Sequence, residues 1–66
     1  IMLYQSMSGD AGEGTATFNA TNSNLKISSD SNYYKNSPFF FITNTKAVIN
    51  LENNNLEYGS DTLLKI

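Results

Sequence analysis

The sequence predicts an all-β fold, a parallel β-solenoid of which this chain supplies about two coils. Three observations lead to this fold class. Apolar and polar residues alternate with a period of two, as they do in half-buried strands. Segments of the first half of the chain recur in the second half, and Asn-rich corners separate the apolar runs. Repeats of about 20–50 residues are typical of solenoids and other repeat proteins.

The alternation is clearest in two runs of the chain, and it excludes a helix there. β-branched residues and Asn fill both runs, and no apolar stripe with helical spacing survives more than one turn. In a strand, alternate residues face the same side, so the apolar set is expected to face inward. This inward set is Ala16, Phe18 and Ala20 in the first run and Ala47, Ile49 and Leu51 in the second.

The internal repeat has two offsets. Residues 16–30 align without a gap on residues 47–61, an offset of 31, and seven of the fifteen aligned pairs are identical. Further along, residues 39–42 match residues 63–66 at an offset of 24. The simplest account is a coil of about 24 residues in which residues 31–37 are an insertion that bulges from the wall as a loop. Residues 1–66 are then one piece of a single domain.

Each coil is expected to contain three strands with polar corners between them. The first coil covers about residues 15–43 and the second about residues 47–66. The corners at residues 22–24 and 53–55 are rich in Asn, which tolerates a positive φ and bonds its own backbone. Asn amides stacked in register can also bond one another along a column. The predicted strands are residues 15–21, 25–28, 39–43, 47–52, 56–58 and 63–66, with a further edge strand near residues 2–6.

The length and composition indicate a piece of a larger protein. A domain of about 60 residues buries only about 60% of the surface of its unfolded chain, and two coils are fewer than the three or so that a solenoid needs. The chain has no Cys and no His, so neither a disulfide nor a zinc or iron site is expected to stabilise it. We expect the remaining coils of the parent chain, or another copy, to cover the open strand edges.

The charge and polarity of the chain exclude several classes of partner. The four Lys, the absence of Arg and six scattered acidic residues give a net charge of −2, which offers no basic stripe for nucleic acid. No apolar run approaches the roughly 20 residues of a membrane span, so membrane insertion is not expected. Ten Asn, eight Ser and six Thr would suit either a polar linker or stacked turns. The alternating strands favour stacked turns.

Several segments carry a resemblance to a known family. They are residues 4–10 leading into residues 15–18, then residues 40–51, which contain the Thr43-Asn44-Thr45 corner and the Ala-x-Ile-x-Leu strand after it, and Leu63-Leu64. In these segments the chain resembles the secreted right-handed parallel β-helix proteins of Firmicutes. That family is similar in fold to polysaccharide lyases and includes carbohydrate-binding and adhesin-type surface proteins. The resemblance implies a secreted or cell-surface location and, in some relatives, calcium-dependent binding of plant cell-wall polysaccharide.

Three Asp residues are candidate calcium ligands, because carboxylates in loops can bind calcium together with backbone carbonyls. Asp10 lies in a Gly-rich segment that lacks the ligand ladder of a calcium loop. Asp30 and Asp61 are equivalent in the two repeats, so stacking would bring them close together. The alternative for all three is an ordinary turn stabilised by the Asp side chain. Calcium is the one candidate cofactor.

Two aromatic segments are candidate ligand-binding sites. Tyr33 and Tyr34 lie among amides in the inserted loop, where they could stack on sugar rings or dock the loop on the wall. Residues 39–42 are apolar on both registers, whereas a wall strand should alternate. One register must therefore face outward, and Phe40 is our candidate for a ligand contact. The alternative is that a loop of the protein covers this patch.

Catalysis is not expected within these residues. Glycoside hydrolysis needs two carboxylates at a defined separation, and the acidic residues here lie in turns without an obvious partner. The elimination chemistry that the resemblance implies uses a strong base, usually Arg, and the chain contains no Arg. We therefore expect a non-catalytic segment that binds polysaccharide or serves adhesion. The alternative is a structural spacer or stalk whose parent protein, a surface protein or a polysaccharide lyase, has its site elsewhere.

Overall fold

The computed structural model describes residues 1–6 and 13–66. Over these residues the chain forms seven strands and one short helix, so the all-β prediction is confirmed. Each predicted strand is present, with boundaries that differ by at most a few residues. The elements are β1 (Met2–Tyr4), β2 (Thr15–Thr21), β3 (Asn24–Lys26), α1 (Asn32–Lys35), β4 (Phe40–Thr43), β5 (Lys46–Glu52), β6 (Asn55–Glu57) and β7 (Leu64–Lys65).

The described strands form three short sheets, and every strand pair in them is parallel. The first sheet has the order β1-β4-β7, the second pairs β2 with β5, and the third pairs β3 with β6. Consecutive strands β2, β3 and β4 thus belong to three different sheets. Their counterparts β5, β6 and β7 return to the same three sheets in the same order.

For the strand pairs that join the two repeats, the pairing register equals the two offsets of the sequence repeat. All ten residue pairs of the second and third sheets join residues that are 31 positions apart, from Thr15 with Lys46 to Lys26 with Glu57. In the first sheet, Phe40 pairs with Leu64, a separation of 24. Four of the ten pairs in the second and third sheets are identical residues, whose side chains therefore lie side by side, as cross-strand packing favours.

Asn residues make the corners between the sheets. Asn22, Asn44 and Asn53 have φ values of 54°, 55° and 56°, in the left-handed region that Asn enters more readily than most residues. Asn22 and Asn53 occupy the predicted equivalent corners. Each follows the last residue of a long strand and turns the chain toward the next sheet.

Equivalent Asn side chains bond one another between the two repeats, as the stacked columns predict. Each bond runs from the side-chain amide of the second repeat to the side-chain carbonyl of the first. The three Nδ2–Oδ1 distances are 2.8 Å from Asn50 to Asn19, 2.7 Å from Asn53 to Asn22, and 2.9 Å from Asn55 to Asn24. The Asn content therefore has a structural cause.

Asn54 makes a different contact, with the backbone of the first repeat. Its amide donates to the carbonyl oxygen of Ala20 at 3.0 Å, and its Oδ1 accepts from the backbone N–H of Ser23 at 2.9 Å. The side chain thereby bridges the corner at Asn22. These are backbone groups that the turn cannot pair within itself, so the bridge satisfies a donor and an acceptor that are partly buried.

The core lies between the sheets and is built from aromatic rings. Among the described residues, the buried apolar side chains are Phe39, Phe40 and Ile42. The Phe40 ring contacts Phe18 of β2 and Phe39, with centroids 5.5 Å and 5.0 Å apart, and Phe39 contacts Tyr58 at 5.3 Å. All three contacts are edge-on, the arrangement that ring quadrupoles favour. The cluster joins the first two sheets to the segment after β6.

The predicted loop at residues 31–37 contains one turn of helix, which the sequence analysis did not anticipate. Lys35 N–H donates to the Ser31 carbonyl at 2.9 Å, and the Ser37 hydroxyl donates to the Tyr33 carbonyl at 2.6 Å. No β-branched residue opposes a helical turn here. Pro38 follows at once, and its missing N–H and fixed φ prevent the helix from continuing.

Replacing Asn54 with Ala tests the corner bridge. The variant leaves the Ala20 carbonyl and the Ser23 N–H without their partner, so we expect the free energy of unfolding to fall by about 1–2 kcal/mol. Urea unfolding followed by circular dichroism measures this change. Asn32→Ala, on the exposed side of α1, is the control and should stay within about 0.5 kcal/mol of the parent. Equal stability of the two variants would contradict the bridge.

Candidate functional site

A row of outward side chains on the first sheet forms the floor of a groove. Met2 pairs with Phe41, and Phe41 pairs with Lys65, so the three side chains lie side by side on one face. Adjacent strands are about 4.8 Å apart, which makes the row about 10 Å long. Phe41 is half-buried, whereas Met2 and Lys65 at its two ends are exposed.

The α1 segment forms the wall of this groove. Tyr33 is 77% exposed and Tyr34 is 57% exposed, and their rings meet edge-on with centroids 5.1 Å apart at 88°. The groove is lined further by Asn36, Ser37 and Pro38, which lead from α1 back to the sheet. The groove (Ile1, Met2, Tyr33, Tyr34, Asn36, Ser37, Pro38, Phe41 and Lys65) has a volume of about 640 Å³.

The volume of the groove lies within the range of small-molecule sites. Ligand pockets in proteins measure about 300–1,000 Å³ and combine apolar and aromatic walls with a few polar groups. Here the aromatic walls come from Tyr33, Tyr34 and Phe41. The Asn36 amide and the Ser37 side chain supply hydrogen-bonding atoms. The groove is open to solvent along its length, so it suits a chain-like ligand better than an enclosed one.

The wall is held against the sheet by a close backbone approach at Gly59. A Cβ built on Gly59 would lie 2.8 Å from the Lys35 carbonyl oxygen, a distance that real Cβ atoms do not show. Gly59 follows Tyr58, whose ring packs on the buried Phe39. The second repeat thereby fixes the carboxyl end of α1, and with it the positions of Tyr33 and Tyr34.

The amino end of the chain lies at the rim of the groove. The Ile1 ammonium donates to the Phe39 carbonyl at 2.6 Å, and the Ile1 carbonyl accepts from the Phe41 N–H at 2.8 Å. Burial lowers the pKa of this ammonium, because partial removal from water disfavours the charged form. The two hydrogen bonds continue the pairing of β1 with β4 and fix the rim of the floor.

The prediction that Phe40 contacts a ligand is wrong. Its side chain is 2% exposed and packs between Phe18 and Phe39, so no ligand can reach the ring. The outward register of β4 is that of Phe41. Phe39 precedes the strand and turns into the core beside Tyr58, which is why two adjacent Phe residues are both buried.

Two of the three candidate calcium ligands, Asp30 and Asp61, belong to the described part of the chain. Asp30 and Asp61 are exposed in equivalent turns. In these turns the Ser29 and Ser60 hydroxyls accept from the N–H groups of Ser31 and Thr62 at 3.1 Å and 3.0 Å. Asp10 falls outside the described residues. Within residues 1–6 and 13–66, no group of three or more acidic, His or Cys side chains could hold a metal. Calcium binding at Asp30 and Asp61 stays a prediction.

The sequence predicts the tyrosines of the groove as site residues but does not predict its floor. Met2, Phe41, Lys65 and Pro38 were not selected as site residues. The offset of 24 contained the signal, because it aligns Phe41 with Lys65. The pairing of β1 with β4, by contrast, has no counterpart in the repeat, so Met2 could not have been placed beside Phe41 from the sequence.

The comparisons with known proteins leave the family of the chain open. No protein-family model matches it, and neither does any curated protein or solved structure. The resemblance to secreted β-helix proteins therefore stays a prediction. In the described part of the chain, no helix has the length and apolar character needed to cross a membrane.

Replacing Gly59 with Ala tests the attachment of the groove wall. The new methyl group would meet the Lys35 carbonyl, so we expect α1 to shift and the free energy of unfolding to fall by about 1–3 kcal/mol. Ser28→Ala is the matched control, since Ser28 is exposed at the position that aligns with Gly59 in the first repeat, and this variant should stay within about 0.5 kcal/mol of the unsubstituted chain. Urea unfolding of both variants measures the difference. A Gly59 variant as stable as the Ser28 variant would contradict the attachment.

Proposed function

We propose that this chain is a non-catalytic segment of an extracellular β-solenoid protein and that it binds polysaccharide through the groove. The observation that carries the proposal is the pair of exposed tyrosines above the Phe41 row. Exposed rings offer flat apolar faces for the C–H faces of sugars, and their hydroxyls stay in contact with water. Asn36 and Ser37 add hydrogen-bonding groups for sugar hydroxyls.

The finer fold class belongs to the same proposal. A right-handed parallel β-helix is supported by the order in which the strands visit the three sheets and by the parallel pairing of each strand with its counterpart. Right-handed crossovers account for about 98% of parallel connections within one sheet. A secreted or cell-surface location, with adhesion as the wider role, rests on the resemblance described above.

The composition of the groove supports binding without catalysis. Its described lining contains no Asp or Glu. Glycoside hydrolysis uses a pair of carboxylates on either side of the scissile bond, and such a pair would have to come from elsewhere. The groove can orient a saccharide by stacking and hydrogen bonds.

A structural spacer or stalk is the second candidate function. The Asn columns and the open edges of β5 and β6 favour it, because both features suit a stack that continues beyond two repeats. In that case the remaining coils of the parent chain, or another copy, cover these edges. The two functions differ in one property, since a spacer has no need of the exposed tyrosines.

A glycan array with the 66-residue chain tests polysaccharide binding. We expect the double variant Tyr33→Ala/Tyr34→Ala to lose at least about tenfold in affinity, because two stacking faces worth roughly 0.5–1.5 kcal/mol each are removed. Titration calorimetry on a glycan from the array measures the loss.

Tyr4→Ala is the matched control for this experiment. Tyr4 is 63% exposed on the same sheet but does not line the groove, so its variant should bind as the parent does. Circular dichroism must show the same strand content in all three proteins. Unchanged binding by the double variant, or no glycan bound by the unsubstituted 66-residue chain, would favour the spacer.

A further inference from the structure

Two Asn residues of the chain are followed directly by Ser, namely Asn22 by Ser23 and Asn36 by Ser37. Asn is a chemically labile residue, because the backbone nitrogen of the next residue can attack its side-chain carbonyl carbon. The attack is easiest when the next residue is small, since a small side chain does not shield that nitrogen. Both sites therefore have a local sequence that favours loss of the side-chain amide, and the fold constrains them differently.

Hydrogen bonds hold both reacting groups at Asn22. Its backbone N–H donates to the Glu52 carbonyl at 2.9 Å, and its Oδ1 accepts from Asn53 Nδ2 at 2.7 Å. The nitrogen that would attack it belongs to Ser23, whose N–H donates to Asn54 Oδ1 at 2.9 Å. The side chain and the attacking nitrogen are therefore both engaged, and neither can turn toward the other while the corner is intact.

Asn36 is held much less firmly. It is exposed at the carboxyl end of α1, and its side-chain amide makes no hydrogen bond with a described residue. The attacking nitrogen, that of Ser37, donates to the Tyr34 carbonyl at 3.3 Å, which is longer than an ordinary N–H···O bond. Ring closure requires Asn36 to rotate away from its ψ of 1°. That rotation costs one long hydrogen bond, whereas the same rotation at Asn22 breaks the corner.

We propose that Asn36 is a site of spontaneous deamidation and that the corner bridge of Asn54 protects Asn22 from the same reaction. The Ser37 backbone nitrogen loses its proton to water and attacks the Asn36 Cγ. The bond from Cγ to Nδ2 breaks, and Nδ2 takes up a proton and leaves as ammonia. Water then opens the cyclic succinimide at either of its carbonyls, so that residue 36 becomes aspartate or isoaspartate. The net reaction consumes water and releases ammonia, and no oxidant or reductant takes part.

The reaction changes the wall of the groove without any partner. Asn36 lines the groove, whose described lining contains no Asp or Glu, so the product gives this lining its first carboxylate. Isoaspartate also places an extra carbon atom in the backbone between α1 and Pro38, where the chain returns to the sheet. The inference is independent of polysaccharide binding, because the reaction involves only the chain and water.

Incubation of the 66-residue chain in mildly alkaline buffer tests the inference, because base removes the proton of the attacking nitrogen. Cleavage after the Lys residues then separates residues 36–46 from residues 1–26, which contain Asn22. Mass spectrometry with fragmentation measures the carboxylate formed at each Asn. We expect Asn36 to react at least about tenfold faster than Asn22, since reaction at Asn22 must break several hydrogen bonds and each slows it by about fivefold.

The same chain unfolded in guanidinium chloride is the control for local sequence. Without the fold, both Asn-Ser pairs are free to rotate, so the two rates should become similar. Equal rates at Asn22 and Asn36 in the folded chain would overturn the inference. So would a folded chain that reacts at neither site while the unfolded chain reacts at both. A difference that persists in the unfolded chain would also overturn it, because local sequence would then be the cause.

Asn54→Ala tests the protection of Asn22 by the corner bridge. The variant frees the Ser23 N–H, so we expect Asn22 to react about fivefold faster and Asn36 to react at an unchanged rate. Ser28→Ala, at an exposed position, is the control and should change neither rate. Circular dichroism at the incubation temperature checks that both variants are folded. An unchanged rate at Asn22 in folded Asn54→Ala contradicts the protection. If Asn54→Ala does not fold, the folded and unfolded forms of the unsubstituted chain decide.

Discussion

The structure depends on the return of the chain to the same corner geometry one repeat later. Parallel strands of two repeats can pair along their whole length only if the chain enters and leaves equivalent corners in the same direction. Asn22 and Asn53 meet this requirement by adopting nearly equal positive φ values, 54° and 56°. A β-branched residue at either position would be strained. The side-chain bond between the two Asn residues, 2.7 Å long, then ties the corners together.

The inserted segment shows how this register tolerates extra residues. The pairing separation is 31 in two sheets and 24 in the third, so seven residues must be accommodated between β3 and β4 in the first repeat. They turn outward as α1 and its flanks, and the strands on either side keep their partners. The segment is thereby free of the constraint that fixes the walls, and its tyrosines can face solvent. A binding role is better placed there than on the regular strands.

The sequence predicts more of the fold than of the site, for a physical reason. Strand registers follow from repeated side chains. The register that pairs Ala16 with Ala47 and Leu25 with Leu56 keeps equivalent apolar residues on the same face. The helical turn at α1 has no such repeat and depends on contacts at Gly59 and Pro38. The prediction for Phe40 was wrong because residues 39–42 are apolar on both registers, and the packing of the Phe40 ring against Phe18 decides that Phe41 faces outward. The groove combines residues from three separate segments of the chain, and periodicity does not predict which residues of such segments come together.

Several apolar side chains in the second repeat stay exposed, among them Leu51, Leu64 and Ile66. Their counterparts in the first repeat are covered by the second, so the same stacking that buries one repeat leaves the next one open. The register is therefore the central claim of this account. Nuclear Overhauser contacts in the isotopically labelled chain measure it most directly. The account predicts contacts of Ala16 with Ala47, Phe18 with Ile49 and Phe40 with Leu64. Pairing of β2 with β5 or of β4 with β7 at any other separation, or antiparallel contacts between β2 and β5, would contradict it.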